Sequence, residues 1–316
     1  MSLPIDVDRL AKLIKEGDTT SLAQGITLLE SFKDEHWSLA KSLLKKVYEK
    51  NKNSYRIGFS GPPGVGKSTF IEKFGLKLLN EGYKVAVLAV DPSSQVSGGS
   101  ILGDKTRMEE LSRNKDAFVR PSPSRGHLGG VTSTLPGVLV LCEAAGYDWV
   151  LVESVGVGQS EIELSSMVDQ FTLIAQPGAG DELQGIKKGI LEYVDKIVVN
   201  KSDLEPELVN ISKQQYLSAL KIMRGKTVPV FTCSALTNSG FDELIKSYKS
   251  YFKDFDFKKR ESHLAAWMDS LLLSQFQRKL SGSVWKPQVD TLKKKVQDGE
   301  ILPFEAVDQF FASLKE

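Results

Sequence analysis

The sequence predicts a doubly wound α/β fold, a mostly parallel sheet with helices on both faces and helical extensions at either end. Three observations carry that prediction. Short, continuous apolar runs alternate with helix-period segments through the middle of the chain, the pattern of strands buried on both faces. A glycine-rich turn, Gly61 to Gly66, joins the first such run to a helix. Outside this middle region the apolar residues recur only at helical spacing.

From Asp6 to about Lys50 the helical spacing is carried by Leu10, Leu13 and Ile14, then Leu22, Ile26 and Leu29, then Leu39, Leu43, Leu44 and Val47. A strand over Tyr55–Ser60 enters the glycine-rich turn, and a helix runs from Lys67 to about Asn80. Strand Lys84–Val90, a helix ending near Ala145 and strand Trp149–Glu153 follow. Strand Gln170–Ala175 precedes a glycine-rich segment, strand Lys196–Val199 runs into Asn200, and strand Val228–Thr232 closes the series. After about Phe255 the pattern is helical again, with Leu264, Trp267, Met268, Leu271, Leu272 and Phe276, then Phe304, Val307, Phe310, Phe311 and Leu314. Those faces either pack on the chain's own core or form a dimer arm. The expected organisation is an N-terminal helical extension (1–53), a nucleotide-binding core (54–255) and a C-terminal helical arm (256–316).

Composition narrows the function classes. With 316 residues, 41% hydrophobic and 26% charged, the chain can bury a sizeable core. A net charge of +1 supplies no global field for nucleic acid or an anionic membrane. Lys258-Lys259-Arg260 and Lys293-Lys294-Lys295 read as solvated helix faces. The longest apolar runs, such as Val85 to Val90, are too short to span a bilayer. Cys142 and Cys233 follow no disulfide or zinc spacing, and the first residues fit no signal or transit pattern, so a cytoplasmic protein is expected.

The chemistry concentrates at strand ends. Gly61-Pro62-Pro63-Gly64-Val65-Gly66-Lys67-Ser68-Thr69 fits GxxxxGK[ST], the phosphate-binding P-loop. In that motif backbone N–H groups wrap the phosphates, Lys67 reaches the β- and γ-oxygens, and Ser68 offers a hydroxyl to Mg²⁺. Asn200-Lys201-Ser202-Asp203 resembles the NKxD base-reading motif of GTPases, in which the Asp203 carboxylate can accept from guanine N1–H and the 2-amino group. Adenine offers neither donor. Ser234-Ala235-Leu236, after the next strand, stands where GTPases place a loop that supports the base. Asp91 and Glu153 end two strands and suit direct or water-mediated contact with Mg²⁺, and Asp104 is a third candidate. Glu153 heads an ExxG sequence where DxxG is commoner, and Gln159 follows it as a switch-loop residue or a water-orienting one.

Longer segments carry a more specific resemblance. Leu22 to Ser31, Asp91-Pro92-Ser93-Ser94, Arg120-Pro121-Ser122-Pro123-Ser124, Gly129-Gly130-Val131, Glu153 to Glu161 and Gln176 to Gly189 resemble the MeaB/ArgK family, over essentially Asp18 to Phe252. The resemblance implies a homodimeric, Mg²⁺-dependent GTPase that binds GTP and GDP. It would act as a chaperone of adenosylcobalamin-dependent methylmalonyl-CoA mutase or a related acyl-CoA mutase, gating cofactor loading and guarding against inactivation. Lys67, Asp91, Asp104 and Glu153 would then form the phosphate and Mg²⁺ cluster, with Asp203 as base reader. Residues Gly178 to Lys188 would communicate with the mutase, through Asp181, Gln184 and Lys187. The reaction would be in-line attack of water on the γ-phosphate, slow until the partner orders the switch loops.

Three other readings stay open. A nickel-inserting metallochaperone shares the core, but His36, His127 and His263 form no cluster in sequence. A kinase of a transport protein, an older label for ArgK-like sequences, would need an acceptor. An adaptor that holds nucleotide without turnover would not need the Lys67, Ser68 and Asp91 set.

Overall fold

The structure is a computed structural model that describes residues 5–31, 33–49, 54–91, 108–123, 130–154, 159–178, 188–224, 227–282 and 285–314. The chain divides into two compact units, one through Ala265 and one from Ala266 to Glu316.

In the first unit, helices Val7–Lys15 (α1), Thr19–Leu29 (α2) and Asp34–Val47 (α3) come first. Asp6 caps α1 through Asp8 N and Arg9 N, and Asp18 caps α2 through Ser21 N. Then follow Tyr55–Ser60 (β1), Lys67–Asn80 (α4), Val85–Asp91 (β2), Glu109–Ser112 (α5), Ala117–Pro123 (β3), Gly130–Ala144 (α6), Trp149–Ser154 (β4) and Gln159–Ser165 (α7). The series continues with Gln170–Ala175 (β5), Lys188–Leu191 (α8), Lys196–Val199 (β6), Pro206–Arg224 (α9), Val230–Thr232 (β7) and Phe241–Lys253 (α10). Helix Lys259–Ser281 (α11) contains the division between units, and Lys286–Gln297 (α12) and Pro303–Ser313 (α13) belong to the second.

The seven strands form one sheet in the order β3-β2-β4-β1-β5-β6-β7, and every pairing is parallel. The expected doubly wound architecture is therefore present. Strand periodicity builds its two faces. Ala86, Leu88, Val150 and Val152 point into one apolar layer with α1, α2, α3 and α6, while Val85, Val87, Trp149 and Leu151 point into the other with α4 and α10. The N-terminal helices share the core closely: a Cβ on Gly25 would stand 3.1 Å from Ile14 Cδ1 and from Leu43 Cδ2.

Two departures from the sequence reading have plain causes. The apolar-run pattern does not predict β3, which carries Pro121 and Pro123 and lies at the sheet edge, where a missing N–H breaks no outer ladder. Arg260 is not on a solvated face. Its guanidinium donates from Nε to Asp169 Oδ1 (2.8 Å) and from Nη1 to Glu143 Oε1 (3.0 Å), and Arg56 pairs with the same Glu143 (2.7 Å). A lysine-rich neighbourhood hid an arginine that two buried carboxylates require.

Cys142 and Cys233 are free and buried, and burial pushes the Cys233 thiol up to about 12. No helix among the described residues is long and apolar enough to cross a membrane.

Candidate functional site

The sheet order places β1 between β4 and β5, so the chain winds outward in both directions from a central strand. Ligands of open parallel sheets bind beyond the carboxyl ends of the strands at such a switch point. Five of the segments picked out in the sequence leave the sheet at that edge. The glycine-rich loop follows β1, Asp91 ends β2, Glu153 lies at the end of β4, and Asn200 and Cys233-Ser234 follow β6 and β7.

The loop after β1 has the backbone its glycines allow. Gly64 and Gly66 adopt φ of 81° and 88°. A Cβ on Gly61 would stand 2.2 Å from the carbonyl oxygen of Ile174, so only glycine lets the loop pass β5 so closely. Helix α4 begins immediately after Gly66, aiming its positive end at the loop.

Lys67 is 9% exposed, and its ammonium donates to Gly61 O (2.7 Å) and Pro62 O (3.1 Å). Burial pushes its pKa below the ordinary lysine value, against the pull of Glu153 and Glu161. The next residue, Ser68, donates from Oγ to Glu153 Oε1 at 2.8 Å. Hydroxyl and carboxylate thus meet beside the lysine, a set of hard oxygen donors that fits Mg²⁺.

The NKxD segment is tied to the loop by two residues, Asn200 and Lys201. Asn200, 1% exposed, donates from Nδ2 to Val65 O (3.0 Å) and accepts at Oδ1 from Ala235 N (3.2 Å). One amide therefore joins the P-loop, β6 and the segment after β7. Lys201 donates to Gly64 O (2.8 Å). Ser234 donates to Asp203 Oδ1 and itself accepts from Thr237 N (3.0 Å), which fixes the carboxylate proposed to read the base. Leu236 is 84% exposed.

Residues predicted from the sequence therefore converge where they are described: Gly61 to Thr69, Glu153, Asn200, Lys201, Asp203, Ser234 and Ala235. Asp104, Asp181, Gln184 and Lys187 lie outside the described residues, as do the side chains of Asp91 and Gln159. Three contacts escaped the sequence reading. Ser60 donates to Glu161 Oε1, tying α7 to the end of β1. Gln176 accepts from Lys201 Nζ at 3.2 Å, and Ser212 accepts from Gly178 N at 3.0 Å. Glu161 and Gln176 stand inside the segments that carried the resemblance, but nothing in their spacing marks them as contacts.

Comparison with known proteins agrees with this geometry. The family model described as methylmalonyl Co-A mutase-associated GTPase MeaB matches residues 22–286. The chain is 52% identical to GTPase ArgK of Escherichia coli over 236 residues, covering 73% of this chain and 71% of that protein. It is 41% identical over 335 residues to the mitochondrial methylmalonic aciduria type A homolog of Mus musculus, covering 98% and 80%. Among solved structures, one described as a LAO/AO transport system kinase superposes with a TM-score of 0.72 at 34% identity, each chain covered in full. On this match across most of its length, the chain belongs to the MeaB family of GTPases.

Proposed function

We propose that this chain hydrolyses GTP with Mg²⁺ and uses the cycle as a chaperone of adenosylcobalamin-dependent methylmalonyl-CoA mutase or a related acyl-CoA mutase. The observation that carries the nucleotide chemistry is the convergence of Lys67, Ser68 and Glu153 at the end of the central strands. The family description and the name of the mouse relative support the choice of partner.

In this reading the Lys67 ammonium leaves the carbonyls of Gly61 and Pro62 for the β- and γ-oxygens. Its partial desolvation strengthens that attraction. Ser68 and Glu153, joined by Asp91 and Asp104, hold the metal side. Bound Mg²⁺ would neutralise charge on the transferring phosphoryl group. Asp203, steadied by Ser234, accepts from the guanine edge, and water attacks the γ-phosphate in line. Asp181, Gln184 and Lys187 carry the signal to the mutase, and the exposed apolar faces of the C-terminal helices pair two copies of the chain.

The kinase named in the 34% identical structure offers a second reading, in which the phosphoryl group passes to a protein. The NKxD sequence argues for guanine in either case.

The deciding experiment measures phosphate release from GTP, with ATP as control, by the chain alone and with mutase. Acceleration specific to GTP and mutase supports the proposal. Hydrolysis indifferent to mutase removes the partner and leaves the GTPase, and labelled phosphate on protein instead of free phosphate supports the kinase.

A further inference from the structure

Gln176 is the first residue beyond β5, and no motif gives it a role. Its Oε1 accepts from Lys201 Nζ at 3.2 Å while the same ammonium donates to Gly64 O at 2.8 Å. The lysine thus bridges the turn after β5 and the P-loop. Lys201 also has φ +57°, which among the described non-glycine residues only Asn238 shares in sign. That conformation is unfavourable for an L-residue, and ordering a lysine side chain costs conformational entropy. The backbone conformation is held by Ser202 N donating to Cys233 O and Leu204 N donating to Lys201 O, while the side-chain cost is offset by the acceptors of its ammonium, Gly64 O and the Gln176 amide oxygen.

The turn itself is fastened a second time. Gly178, with φ +77°, donates from N to Ser212 Oγ at 3.0 Å, and Ser212 is 3% exposed on α9. Gln176 and Gly178 therefore both attach to the element that begins with the NKxD segment and continues into α9. Asn200 holds the backbone of that element to Val65 independently. The contribution of Gln176 is to the Lys201 side chain.

We propose that Gln176 is a positioning residue for guanine-nucleotide binding: its amide oxygen pins Lys201 against Gly64, so the base-reading segment and the P-loop close on the nucleotide as one unit. This rests on the guanine-nucleotide reading above and deepens it. The contact precedes and outlasts the chemical step, so it stabilises ground state and transition state alike. Its loss falls on affinity and not on the rate at saturation.

The test uses the full chain and fluorescent GDP and GTP analogues with Mg²⁺. Gln176→Ala and the similarly sized Gln176→Met should raise Kd for GDP and GTP by the same factor of about ten, the scale of one hydrogen bond to a charged group, mainly through faster release. Single-turnover hydrolysis at saturating GTP should stay within about twofold. Gln176→Glu keeps an acceptor for Lys201 and should restore affinity to within about threefold. The methionine variant keeps the test decisive if alanine disturbs folding, and thermal midpoints identify such a disturbance. Unchanged Kd in both acceptor-free variants, unequal effects on GDP and GTP, or no recovery with glutamate would overturn the proposal while leaving the GTPase reading intact. A wild-type chain that binds no guanine nucleotide overturns both.

Discussion

Ser68 Oγ donates to Glu153 Oε1 across 2.8 Å, joining the first turn of α4 to the end of β4. In register Glu153 lies opposite Phe59 of β1 and Ala89 of β2, so it sits between the strand that enters the P-loop and the strand that ends at Asp91. Ser68→Ala and Glu153→Gln should each lower GTP turnover by at least about tenfold and move the Mg²⁺ midpoint to higher concentration. Turnover rates across a Mg²⁺ titration check this. Superimposable titration curves for variants and wild type would remove both residues from the metal side.

Asp203 receives a hydrogen bond from Ser234, whose oxygen is in turn held by Thr237 N. Asp203→Asn replaces an acceptor by a mixed group and should weaken GTP binding by about 100-fold, the scale of two lost bonds to a charged acceptor, while improving binding of xanthosine triphosphate. Ser234→Ala leaves the carboxylate in place but loosens it, so a smaller loss with guanine preference retained is expected. Competition binding with both nucleotides separates these outcomes.

The sheet was legible because its strands are buried on both faces. Gln170–Ala175 and Lys196–Val199 appear as predicted, since a parallel strand shows as an unbroken apolar run. β3 was not legible, because at an edge the polar and proline residues of Ala117–Pro123 cost little, and that is the composition of a loop. Within the site, sequence exposed the residues whose chemistry needs a fixed spacing, such as Lys67 and Asp203. It could not expose Glu161 or Gln176, whose partners Ser60 and Lys201 are remote in sequence and are brought near only by the winding of the sheet. Arg260 was misread for the same reason: its carboxylate partners are Glu143 and Asp169, and nothing local announces them.

That buried network should govern stability. Asp169 has a side chain with 0% exposure and meets Arg260 Nη2 at 2.6 Å. Arg260→Met would leave Asp169 without this partner and Glu143 with only Arg56 and the Ser54 hydroxyl, so a loss of about 3–5 kcal/mol is expected. Urea unfolding monitored by far-UV circular dichroism measures it. A loss below about 1 kcal/mol, the value of exposed pairs, would mean that the network is solvated.

Lys196 gives a pH signature of opposite origin. It is 4% exposed, donates to Gln170 Oε1 at 2.6 Å, and lies 4.9 Å from the Tyr248 ring centroid. Burial lowers its pKa from 10.5 to about 8, opposed by Asp195. Below about pH 8 both folded and unfolded chains carry the charge, so the contribution is level. Between about pH 8 and 10.5 the unfolded chain binds the extra proton, so this residue's contribution to stability rises with pH. Relative to Lys196→Met, the wild type should therefore gain about 1–2 kcal/mol between pH 7.5 and 9.5. A difference between the two proteins that does not change with pH would show that the ammonium is not desolvated.

The second unit presents apolar groups that its own packing does not cover. Phe276 stacks on Phe311 at 6.0 Å, and Trp285 meets Phe310 at 5.7 Å, which holds α11, α12 and α13 together. Met268, Leu272 and Leu273 on α11 are nevertheless 58%, 60% and 66% exposed, and Phe304 and Val307 on α13 are exposed as well. Met268 and Leu272 stand four residues apart and so share a helix face, a stripe suited to a twofold contact between copies. If these faces pair two chains, wild type should sediment as a dimer and the double substitution Leu272→Glu, Leu273→Glu as a monomer. GDP affinity should be unaltered, because the residues proposed to hold the nucleotide all belong to the first unit. A wild-type chain that sediments as a monomer at micromolar concentration would refute the pairing, and a dimer that survives both glutamates would move the interface elsewhere.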